Sequence, residues 1–166
     1  MSPAGPPEGC KAFPAVALPN TRVLWVLIHL HAIDYPTTTM KTILTSSKSV
    51  DQAASDFEDA VSRNGFGILH VYNLKETLEG KGFPQAEEIR VYEICNPGQA
   101  NRVLGVDLEM NMALPCRVSI YSQDGHTKVG MINPSMMLEM LSDDEQLTPI
   151  AEEVESTIIQ IMKETI

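Results

Sequence analysis

The feature that most constrains this chain is Asp124-Gly125, set between two runs that alternate apolar and polar residues, Cys116 to Ser122 and Thr127 to Ile132. An Asp-Gly pair flanked in this way is the strongest short signal for a two-residue β-hairpin. With those two residues as the loop, Ser122 faces Thr127, Ile120 faces Val129, Val118 faces Met131 and Cys116 faces Asn133. Cys116, Val118, Ile120, Val129 and Met131 then share one side of the hairpin, the side expected to face a core.

The other elements are placed around that hairpin by period and punctuation. Lys41 to Thr45 reads as a short strand. Ser49 caps the helix after it, Gln52 completes a capping box, and Val50, Ala53, Ala54, Phe57, Ala60 and Val61 form one apolar stripe. Asn64-Gly65 stops that helix, with Gly65 suited to the left-handed position beyond it. Gly67 to Asn73 is a second strand, with Leu69 and Val71 on one face and Ile68, His70 and Tyr72 on the other. Leu74 to Gly82 is a short helical or turn connection. Glu87 to Cys95 is a third strand, on which Ile89, Val91 and Cys95 share a face. Asn96 caps a short helix with Pro97 at its first position and Gly105 as its stop. Asn133-Pro134 repeats the device before a helix whose apolar side is Met136, Met137, Met140 and Leu141. Thr148-Pro149 repeats it again before a last helix that buries Ile150, Val154, Ile158, Ile161, Met162 and Thr165. The order β-α-β-β-(α)-β-β-α-α predicts an α+β fold: a mainly antiparallel sheet of about five strands with helices packed on one face.

A chain of 166 residues with 43% hydrophobic content can bury one substantial core, so residues 40–166 are expected to form a single α+β domain. Residues 1–39 differ: they hold six of the eleven prolines and the only Trp. They read as a tail or upstream extension outside the domain, with Met40 as the domain's natural start. The alternative is that the apolar run Val23 to Ile33 packs on the domain. That run is shorter than the roughly 18 residues a membrane span requires, and His29 and His31 interrupt it. Ahead of it lie only Lys11 and Arg22 as positive charges, among five prolines, which does not suit a secretory signal. A net charge of -10 argues against nucleic-acid and anionic-membrane partners, which reward a basic surface. Three cysteines, an odd number without disulfide-framework spacing, predict reduced thiols and a cytoplasmic location.

The run Lys75-Glu76-Thr77-Leu78 to Lys81-Gly82, then Glu93-Ile94-Cys95-Asn96-Pro97, Ala100 and Leu104, then Leu114-Pro115-Cys116-Arg117-Val118, and finally Asn133-Pro134, resembles the domain of unknown function 302 family. The resemblance covers about Met40 to Leu141. It implies a small α+β fold related to the TATA-binding-protein-like arrangement, often dimeric, with no settled enzymatic activity.

The chemistry the residues offer centres on two thiols. Antiparallel pairing of the third and fourth strands would bring Cys95, Cys116 and Asn133 to one edge of the sheet. Cys95 stands just before a capped helix, where backbone N–H groups and the helix dipole would lower its pKa. Such a pair suits a redox thiol, a sulfur carrier or a soft metal ligand, and equally suits two small buried hydrophobes. Asn96, Pro97 and Asn133 flank the pair as candidate ligand-binding residues. No metal or cofactor is expected: two cysteines and a distant His70 do not make a closed zinc set, and methionines at helical spacing more often fill a core or line a partner groove. Phosphate-loop, nucleophile-elbow and His-Glu-x-x-His motifs are absent. Two functions follow, a dimeric module that binds a small ligand or a protein partner, and a thiol-dependent redox or sulfur-carrier protein using Cys95 and Cys116.

Overall fold

The computed structural model describes residues 40–166, in the order β1 (Lys41–Ser46), α1 (Val50–Arg63), β2 (Gly67–Asn73), α2 (Leu74–Glu79), β3 (Ile89–Cys95), α3 (Pro97–Val106), a 3-10 segment (Leu108–Ala113), β4 (Cys116–Gln123), β5 (His126–Ile132), α4 (Pro134–Leu141) and α5 (Leu147–Thr165). The readings made on residues 1–39, as a tail or as a docked apolar run, lie outside the described residues. The five strands form one antiparallel sheet in the order β1-β5-β4-β3-β2. The expected α+β class holds. Four of the five strands sit beside a sequence neighbour, and β1 crosses to pair with β5.

The Asp124-Gly125 loop fixes the centre of this sheet. Asp124 has φ 52° and Gly125 φ 75°, the two left-handed residues that a type I′ turn needs to match strand twist. The register is the expected one: Ser122 opposite Thr127, Ile120 opposite Val129, Val118 opposite Met131. The side chains of Val118, Ile120, Val129 and Met131 are buried, and Cys116 packs against them.

Helices cover that face. Ser49 Oγ accepts from Gln52 N at 3.2 Å and starts α1, whose six predicted stripe residues are all buried. Gly65, at φ 73°, ends it as expected. Alanines at 53, 54 and 60 let α1 lie close to its neighbours, and Phe57 reaches down to Tyr92, ring centroids 5.0 Å apart. The main core is completed by Val154, Ile158, Ile161 and Met162 of α5. A second, smaller core gathers Val103, Met110, Ala113, Leu138, Leu147, Ile150 and Ala151. The stripe of α5 therefore serves the second core with its N-terminal half and the main core with its C-terminal half.

Several local expectations are corrected. In β2 the register shifts between Ile68, opposite Ile94, and His70, opposite Glu93. Leu69 is the extra residue of a bulge and is exposed, so Ile68, rather than Leu69 or Val71, packs against the core. In β3 the core face is Tyr92 and Ile94, which puts Ile89 and Val91 on the alternate positions that face away, while Cys95 at the end of the strand is half-buried. In α4 the buried residues are Pro134 and Leu138, while Met140 and Leu141 are exposed. Gly105 lies inside α3, and Thr148 lies inside α5, which begins one residue earlier after Gln146. No helix among the described residues is long and apolar enough to cross a membrane.

Because Ile158 is fully enclosed in the main core, Ile158→Ala is expected to cost about 2–5 kcal/mol of unfolding free energy. Leu141→Ala, at an exposed position, should change it by less than about 0.5 kcal/mol. Urea unfolding followed by far-ultraviolet circular dichroism measures both.

Candidate binding site at one end of the sheet

The end of β3, the start of β4 and the end of β5 lie side by side, with Ile94 opposite Cys116 and Val118 opposite Met131. Each outer strand then turns into a helix through Asn-Pro: β3 into α3 at Pro97 and β5 into α4 at Pro134. These two helices splay over the sheet end, and the 3-10 segment runs into β4 between them through Leu114-Pro115, joined by a cis peptide bond.

Where the two cores meet under these helices a small apolar cavity of about 30 Å³ remains, room for about two water molecules. Phe66, Ile94 and Val154 wall it from the main core, Val103, Leu138 and Ala151 from the second, and both Cys95 and Cys116 border it. On the outer side of Cys116 lies a shallow groove of about 270 Å³, with Met112, Leu114, Pro115, Ile132, Pro134 and Met137 along its walls. Ala113, Leu114, Cys116, Pro134 and Met137 belong to both linings and form the partition.

The predicted site residues are brought to this sheet end, but with roles the local sequence did not specify. Asn96 Oδ1 accepts from Gln99 N at 3.1 Å, the expected cap, and its Nδ2 donates to the carbonyl of Gly65 at 3.0 Å. Asn96 thus fastens the start of α3 to the stop of α1. Pro97 is exposed at the first position of α3. Asn133 is buried and makes no side-chain cap; its Oδ1 accepts from Thr42 Oγ1 at 2.8 Å and its backbone N–H donates to the Met40 carbonyl at 2.8 Å, closing β1 onto β5. The first turn of α4 is capped from a distance. Ser135 N donates to the Glu155 carboxylate of α5 at 3.0 Å, and the Ser135 hydroxyl donates to it as well, a favourable placement for a negative charge.

The thiols differ from the sequence reading in their acidity. Burial pushes the Cys95 thiol up from its ordinary value rather than down, and burial with the neighbouring Cys95 pushes Cys116 up to about 11. Desolvation penalises a thiolate here, and in the first turn of α3 Pro97 has no N–H and that of Gln99 is taken by Asn96. The strand register also sets the two residues one position out of step: Cys116 shares the core face with Ile94, and Cys95 is the next residue along. Among the described residues both cysteines are free, and no group of three His, Cys, Asp or Glu side chains is arranged to hold a metal ion.

Two features were not read from the sequence. The groove is one: its methionines have the same composition and spacing as core methionines, and only the course of the 3-10 segment leaves Met112 outside. Tyr92 is the other. It is buried in the main core with its hydroxyl donating to Glu58 Oε1 at 3.2 Å. Burial, then the Glu58 charge, pushes its pKa up to about 12.

Comparison with known proteins places this arrangement. Residues 42–165 match the family described as "Domain of unknown function DUF302". The chain is similar to the crystal structure of an uncharacterized conserved protein DUF302 from Bacillus stearothermophilus, at 28% identity and a TM-score of 0.74, over 77% of this chain and 99% of that one. No curated protein matches the chain.

A raised thiol pKa has a defined sign. The folded state keeps Cys116 protonated where the unfolded chain, titrating near 9.0, has lost its proton, so this contribution to stability is intact below about pH 9 and is lost as pH rises toward about 11. In a Cys10→Ser variant, ultraviolet absorbance is expected to show no thiolate at neutral pH, and urea midpoints should fall above about pH 9. Thiolate absorbance already present at neutral pH would reinstate an activated cysteine.

Proposed function

The chain belongs to the DUF302 family, and on that premise we propose that it works as a binding module, with the groove at the sheet end as its site for a small ligand or a protein partner. The observation that supports this reading is the groove itself: a concave apolar surface of about 270 Å³, close to the lower range of ligand pockets, backed by a second cavity across the Met137 partition. Methionines suit such a wall, since an unbranched, polarizable side chain adapts to different occupants. Asn133 ties β1 to β5 just before α4, whose Pro134 and Met137 line the groove, while Asn96 borders the inner cavity behind it and Pro97 lines neither.

Thiol chemistry through Cys95, with Cys116 as the second thiol, is the weaker reading. The adjacency of the two residues favours it, and the lowered acidity of both thiols stands against it. Unpaired thiols favour a reducing compartment such as the cytoplasm.

An environment-sensitive naphthalene-sulfonate dye tests the site. Its emission is expected to rise saturably with the wild-type chain and to lose that rise in Met112→Asp, a substitution at an exposed position that leaves the fold intact. An unchanged titration in that variant would remove the groove as the site.

Self-association belongs to the same proposal. On the outer face of the sheet Ile43, Val91 and Ile132 stand at the positions alternating with the buried ones. Apolar residues on an open sheet face suit an isologous homodimer. Sedimentation at tens of micromolar is expected to show twice the chain mass; a single 18.3 kDa species would overturn it.

A further inference from the structure

Beside the groove, the 3-10 segment and α4 pack together and both turn large apolar side chains outward. Leu108 is 71% exposed and Met112 76% on the first, Met140 68% and Leu141 52% on the second. Pro134, Met137 and Leu141 follow one another at helical spacing along α4, so the apolar wall of the groove continues past it to the end of the helix. A small molecule seated between Met112 and Met137 would leave Leu108, Met140 and Leu141 in water. The surface is longer than such a ligand, and α4 alone spans about 12 Å at 1.5 Å per residue.

The charge around this surface selects among larger occupants. Glu109 lies between the two exposed residues of the 3-10 segment, Glu139 lies on α4, and Asp143, Asp144 and Glu145 follow its C-cap, Ser142. The one cation on the groove lining is Arg117, and it is bonded to Glu93 at 2.8 Å. A second copy of this chain, of net charge -10, would set carboxylates against carboxylates across such a contact, and an anionic membrane would be repelled in the same way.

We infer that this surface docks a basic amphipathic helix of a partner protein, its apolar side chains at i, i+3/i+4 and i+7 laid along Met112, Met137 and Leu141 and its Lys and Arg residues against the acidic rim. The inference rests on the groove being the binding site and names the class of its partner. Helix-in-groove recognition combines these elements: spaced apolar anchors supply affinity, adaptable methionines receive them, and opposite charge sets orientation and encounter rate.

The experiment uses the full chain and a fluorescein-labelled helical peptide of leucines and lysines in amphipathic spacing, with fluorescence anisotropy as the readout. The control peptide has the same composition, scrambled so that no apolar face forms. The variant Met140→Asp/Leu141→Asp changes two exposed residues and makes the surface more negative. Non-specific attraction of a cation would therefore tighten in the variant, whereas docking is expected to weaken about tenfold or more. The amphipathic peptide should also bind the wild type about tenfold more tightly than the scrambled one. Equal binding of the two peptides, or undiminished binding by the aspartate variant, would overturn the inference. If the emission rise of the naphthalene-sulfonate dye is lost in Met112→Asp while neither peptide is held specifically, the groove remains a site and the helical partner is wrong. If the dye fails as well, both fall.

Discussion

The apolar stripe of α5 has to satisfy two cores at once, and the rest of the fold is arranged around that demand. Leu147, Ile150 and Ala151 fill the smaller core under α3, α4 and the 3-10 segment, and Val154, Ile158, Ile161 and Met162 fill the larger one between α1 and the sheet. Nineteen residues of continuous helix, about 28 Å long, hold the two at a fixed distance. The polar side of α5 makes the lateral ties: Glu153 to Arg102 and Gln99 of α3, Glu155 to the first turn of α4, Glu164 to Arg63 and Asn64 at the end of α1. Exposed ion pairs of this kind contribute little each. Their value is positional, since each joins α5 to a different helix end.

The candidate site lies at the seam this arrangement creates. Two cores served by one helix need not meet without a gap, and the gap is where Cys95, Cys116, the small cavity and the partition around Met137 and Leu114 are found. The thiols are suited to that seam by size and low polarity, which explains their presence without asking them to ionise. The asparagines are suited to it for the opposite reason. Strand ends that turn into helices leave backbone groups unpaired, and Asn96 supplies a donor and an acceptor in one short side chain.

What the sequence made legible follows the range of the interaction concerned. The hairpin register, the stripe of α1 and the buried face of α5 depend on neighbours within a turn or two, and each was readable. The bulge in β2 was not, because a single extra residue is defined only against the partner strand. The core face of β3 was not readable for a related reason: Ile89 and Val91 alternate as well as Tyr92 and Ile94 do, and it is the helices that select the aromatic side. At Asn133 the local motif offered a cap, yet Thr42 claims the side chain and Glu155 takes over the vacated task. The adjacency of the cysteine-bearing strands came from strand order and was legible. The groove was not, because exposed and buried methionines look alike in a sequence.

The pairing of β1 with β5 carries a consequence for how the chain acquires its structure. Thr42 and Asn133, which close that edge, are separated by 91 residues, whereas the β4–β5 hairpin closes across two. Loop-closure entropy grows with separation and is repaid only when both ends are in place. The hairpin can therefore form early and recruit β3, but β1 has no partner until β5 has been synthesised, and then competes for an edge already presented by the growing sheet. The strand made first in the domain therefore cannot be hydrogen-bonded into the sheet before β5 has been made. Until it arrives, the outer edge of β5 remains open, and the start of α4 lacks the Asn133 anchorage that sets its direction.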